Sequence, residues 1–83
     1  MDPLEFKLGT YTHYKGGTYR AHYIAYLEST LEPHVVYEML YDSPLFPRGT
    51  MWVRPLSVFL EQVTLADGQA VPRFRLAEEG STL

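Results

Sequence analysis

The sequence predicts an all-β domain, and three observations carry the prediction. Segments rich in Tyr and Thr flank Gly16-Gly17, and a second pair of strand-forming segments flanks Asp67-Gly68. Such turn residues between β-formers specify antiparallel hairpins. No stretch shows an amphipathic helical pattern of useful length, which excludes parallel βαβ units with their crossover helices.

Residues 1–7 hold neither a basic region nor an apolar run. They are expected to be a flexible N-terminal segment and not a signal peptide. With no apolar stretch near the ~20 residues of a membrane span, the expectation is a soluble, cytoplasmic protein. The first hairpin follows. A two-residue turn at Gly16-Gly17 sets Tyr14 opposite Tyr19, Thr12 opposite Ala21 and Thr10 opposite Tyr23. His13 beside Arg20 and Tyr11 beside His22 then share a polar, partly basic face. Through Tyr23 to Leu27 the alternation fails, as in a long strand that bends and changes its buried face. Glu28 to Pro33 is a polar connection, and the apolar run Val35 to Tyr41 is a central strand.

Pro44, Pro47 and Gly49 make Asp42 to Thr50 a loop, whose Leu45 and Phe46 fold back onto the domain. Met51 to Arg54 is a short strand stopped by Pro55, which then opens one helical turn over Leu56 to Leu60. Val63 to Leu65 and Val71 to Phe74 form the second hairpin, and Pro72 places its strand on an edge. The whole reads as a small, strongly bent SH3-like barrel of five or six short antiparallel strands with one short helical turn. The domain spans 8–76, and 77–83 is a flexible tail.

Composition bounds the chemistry. The chain has 83 residues, enough for one domain and too few for two. A chain of this size without cysteine needs a dense core, which seven Tyr, four Phe and one Trp suit. Absent cysteine also excludes disulfides and thiol catalysis. A net charge of −3 disfavours general attraction to polyanions.

The run Gly9-x-Tyr11-x-His13-Tyr14-Lys15-Gly16 followed by Tyr19 resembles the opening of the bacterial domain-of-unknown-function family 1653. The resemblance continues at Thr30 to Pro33, Val35 to Tyr37, Leu40-Tyr41, Trp52 to Leu56, Phe59 and Pro72 to Phe74. It covers about Gly9 to Phe74. It implies a stand-alone SH3-like β domain and no established activity, substrate or catalytic residue. The chain departs from the family at Tyr26 to Thr30, where the resemblance leads one to expect Arg-His-Ser-Glu-Thr, and in a longer loop at 42–50.

No catalytic motif, metal site or cofactor site is legible. His13, His22 and His34 lack a third-ligand pattern, Ser29, Ser43, Ser57 and Ser81 lack a nucleophile elbow, and Lys15-Gly16-Gly17 lacks phosphate-loop spacing. The candidate binding residues are His13, Lys15, Arg20, Tyr37, Trp52, Arg54 and Arg73. Arg48, Arg54, Arg73 and Arg75 lie in a stretch whose only acids are Glu61 and Asp67. The plain alternative is that Arg54 and Arg73 pair with Glu61 or Glu38, and that Trp52 belongs to the core. Tyrosines beyond what a core needs favour exposed contact surface, with Tyr11, Tyr26 and Tyr41 undecided. The leading expectation is a non-catalytic module that binds a protein or peptide segment through Tyr37 and Trp52, rimmed by Arg54 and Lys15. A second is RNA or single-stranded nucleic-acid binding through Lys15, Arg20, Arg54 and Arg73. A third is a homo-oligomeric structural module paired through an edge strand.

Overall fold

Glycine sets the first hairpin, but with a longer turn than the Gly-Gly pair predicts. The computed structural model describes residues 2–79. Strand β1 (Gly9–His13) and β2 (Thr18–Leu27) are joined through Tyr14 to Gly17. The His13 N–H donates to the Gly17 carbonyl at 2.7 Å, and the Gly16 N–H to the His13 carbonyl at 2.8 Å. Gly16 has φ +107°, where a side chain is strained. The register is therefore Tyr11 opposite Tyr19, Thr10 opposite Arg20 and Gly9 opposite Ala21. This overturns the expected pairing of Tyr14 with Tyr19. The offset is an odd number of residues, and strand side chains alternate with period two, so the relative faces invert. Tyr11, expected on the polar face, is buried in the core.

The expected bend in β2 occurs as a bulge between Ala21 and Tyr23, opposite β3 (Glu32–Met39). Tyr19, Ala21 and Ile24 pack on the core, while Tyr23 is exposed. The turn before β3 closes with the Leu31 N–H donating to the Leu27 carbonyl at 2.6 Å, and Pro33 lies inside β3 opposite Tyr26. Val35, Tyr37 and Met39 are buried at alternate positions, as a central strand requires.

After the 42–50 loop come β4 (Met51–Pro55) and the single turn α1 (Leu56–Phe59), which buries Leu56 and Phe59. Pro55 precedes the helical turn instead of opening it. Strands β5 (Gln62–Thr64) and β6 (Ala70–Pro72) form the expected hairpin around Gly68. The expected strand 71–74 is divided, however. The Arg73 N–H bonds the Glu61 carbonyl, and β7 (Phe74–Glu79) leaves to pair with β1. The main sheet is antiparallel in the order β4-β3-β2-β1-β7, with β5-β6 as a second small sheet. Division at Arg73 brings the strands among the described residues to seven. Residues 77–79, expected in a tail, belong to β7, and 80–83 lie outside the described residues.

The core is a cluster of rings. Phe59 and Phe74 stack with centroids 4.1 Å apart, and Phe59 meets Tyr11 and Tyr37 edge-on. Phe6, from the segment expected to precede the domain, stacks on Tyr11 at 5.6 Å and is buried. Each such pair adds about 0.5–1.5 kcal/mol beyond the area it buries. Among the described residues no helix is long and apolar enough to cross a membrane.

Candidate aromatic and arginine pocket

Alternation in β4 turns Trp52 and Arg54 to the core side of the sheet, where they sit opposite Tyr37 and Val35 of β3. With Tyr19 from β2 they line a shallow cavity of about 170 Å³. That is below the ~300–1,000 Å³ of sites that enclose small molecules, and of a size for one side chain or a chain end. Tyr37 is its buried floor, 5% exposed, and not the exposed platform expected. Its backbone faces β4 and its ring is held edge-on by Tyr19, Phe59 and Phe74. Trp52 is half-buried against the core. Phe46 folds back as expected and meets Trp52 edge-on at 4.8 Å, whereas Leu45 stays 84% exposed.

Arg54 donates from Nε to the Tyr37 hydroxyl at 3.2 Å, and its guanidinium carbon lies 5.7 Å from the Phe74 ring centre. Among the described residues it makes no salt bridge to a carboxylate. The acids it was expected to meet are engaged elsewhere. Glu61 accepts from Arg73 Nη2 at 3.1 Å, and Glu38 bonds His22 at 2.7 Å. Arg73 thus makes the ion pair of the plain alternative, and among the described residues its buried Nε has no partner.

His13 packs on Tyr14 and Phe74, with Nδ1 accepting the Lys15 N–H at 3.1 Å. Burial lowers its pKa below 6.5, and the charges of Arg54, Arg73 and Lys15 lower it further. Beside it, the Tyr19 and Tyr41 hydroxyls are 2.7 Å apart. Burial and this bond push Tyr19 ionisation far above the usual phenol range.

The structure therefore brings Tyr37, Trp52 and Arg54 together at the cavity, with His13 joined to them through Tyr19 and Phe74 and lying in the field of Arg54, Arg73 and Lys15. Arg20 departs from them. It pairs with Thr10 and Glu38 on the outer face, so the predicted neighbourhood of His13 and Arg20 does not form. The four-cation face expected for nucleic acid loses Arg20 for the same reason. His22 is also on the outer face, separated from His13. Tyr19 is the lining residue that sequence reasoning missed, because the expected register spent it on Tyr14. A wider cavity of about 500 Å³ lies between the first hairpin turn and Tyr41, but Lys15 is its only charged side chain.

The model of the family described as "Protein of unknown function (DUF1653)" matches residues 9–76. The crystal structure of a DUF1653 protein from Bordetella bronchiseptica is similar at 33% identity and TM-score 0.79, covering 98% of this chain and 99% of that one. No curated protein matches the chain.

Proposed function

The chain belongs to the DUF1653 family, whose description names no activity, and from that premise we propose that it is a non-catalytic binding module for an acidic protein segment. The observation that supports this is Arg54. It is a permanently charged group at a cavity walled by Tyr19, Tyr37 and Trp52, and among the described residues it makes no salt bridge to a carboxylate. A guanidinium fixed by Tyr37 and backed by a ring is pre-organised for a planar carboxylate. Arg54, Arg73 and Lys15 each oppose a positive charge on His13, which marks a positive potential on this side of the molecule.

The test is titration of the isotope-labelled chain with a ten-residue peptide rich in Glu and with a Lys-rich counterpart. The Trp52 indole resonance moves with the first and not with the second. Arg54→Ala weakens binding by about ten- to a hundredfold, the worth of a charge-assisted hydrogen bond. Equal shifts with both peptides reject the reading. Single-stranded RNA that binds at low salt in the tens of micromolar or tighter favours the nucleic-acid expectation instead.

A further inference from the structure

We infer that the partner segment docks as an added strand along the free edge of β4, with an acidic side chain reaching Arg54. This rests on the binding reading above and names its geometry. β4 is the outermost strand of the main sheet, and among the described residues no strand pairs with its outer side. The phase of its hydrogen bonds is fixed by the Met39 N–H, which donates to the Thr50 carbonyl. Antiparallel bonding alternates. Trp52 and Arg54 therefore turn their main chains toward Tyr37 and Val35, and Met51 and Val53 turn theirs outward. The Pro55 carbonyl extends that outward row. Met51 and Val53 are also exposed residues, at 48% and 66%.

An edge left open in this way is a template for another chain unless charge, proline or a bulge blocks it. In β4 the terminal Pro55 removes one N–H at the end of the row, and the one charge, Arg54, lies on the core side of the strand and leaves the outward N–H and C=O groups of Met51 and Val53 open. Side chains of an added strand would alternate between the two faces. Those on the core side abut Trp52 and Arg54, where one carboxylate supplies the salt bridge that Arg54 lacks among the described residues. Those on the other side lie beside Met51 and Val53 and are apolar. The occupant is thus a short extended segment, about five residues long, with an acid flanked at its nearest neighbours by apolar side chains. A second copy of this chain fits less well. Two β4 edges paired antiparallel would set both Arg54 side chains on one face with no acid between them.

The probe is a nine-residue peptide with blocked termini, one central Glu and β-branched flanks, compared with its Gln version and with versions N-methylated on either alternate set of residues. At saturation the Met51 and Val53 amides exchange with solvent about tenfold more slowly or better. One N-methylated set binds about tenfold more weakly and the other is unaffected, while the Gln peptide loses about tenfold. Val53→Pro deletes one outward N–H at a position where an edge tolerates proline, and folded Val53→Pro binds about tenfold more weakly. Four results overturn the inference. If Trp52 and Arg54 resonances shift while Met51 and Val53 exchange is unchanged, the edge is not used and the carboxylate reading stands alone. If neither Trp52 nor Arg54 responds to any peptide, both readings fall. If Met51 and Val53 slow without peptide as protein concentration rises, the edge belongs to a second copy. Undiminished affinity in folded Val53→Pro removes the edge as well.

Discussion

His13 shows how one residue registers its surroundings. Burial removes water from its imidazole, and Arg54, Arg73 and Lys15 oppose a positive charge there, so the folded chain protonates it below pH 6.5. The unfolded chain then binds the proton first. Stability from this group is complete above about pH 6.5, falls as pH drops toward the folded pKa, and is constant below it. His13→Gln is expected to flatten that part of the descent, read by denaturant midpoints between about pH 7.5 and about pH 5. An acidic peptide bound at Arg54 should move the His13 titration back up, which nuclear magnetic resonance reads directly. An unmoved His13 titration in the presence of bound peptide would separate Arg54 from the ligand. None of this was legible in sequence, since His13 and Arg54 become neighbours only when β1 and β4 share one side of a sheet.

At the scale of the element, the first hairpin is governed by two glycines with different duties. Gly16 has φ +107° with open space around it, whereas a Cβ on Gly17 would lie 2.7 Å from the Tyr41 ring and hydroxyl. Gly16→Ala should therefore destabilise by about 1–3 kcal/mol through the backbone alone, with Tyr19 ionisation unchanged. Gly17→Ala should displace Tyr41, break the 2.7 Å hydroxyl pair and bring Tyr19 down toward ordinary phenol ionisation. Denaturant unfolding and ultraviolet phenolate titration distinguish the two. The glycine pair announced a turn, and the Asp67-Gly68 corner announced the other. Neither announced its length, and the register of β1 on β2 followed from the length.

For the whole molecule, size sets the terms. Domains of this kind are stable by about 5–15 kcal/mol in total, so each core ring is a large fraction. Phe6 stacks on Tyr11 and meets Phe59 edge-on at 5.5 Å, from outside the segment that the pattern of strands defines. Starting the chain at Leu8 should cost about 3–5 kcal/mol, the range for emptying a buried phenylalanine site. Phe6→Leu should restore most of it, as thermal and denaturant unfolding can show. A truncated chain as stable as the full one would remove Phe6 from the core. Its isolated position before β1 gave no periodic signal, because a single ring arriving from a 3₁₀ turn has no pattern to belong to.

The order of strands along the chain, the central place of Val35 to Met39, the stop at Pro55 and the two hairpin corners were determined by residues close together in sequence. Turn propensity and alternation are local properties, so they survive without tertiary context. Which face each side chain occupies was decided by the folded molecule. Facing depends on register, and a slip by any odd number of residues inverts it. That parity sent Tyr11 into the core, parted Arg20 from His13 and set Tyr19 beside Tyr37, Trp52 and Arg54.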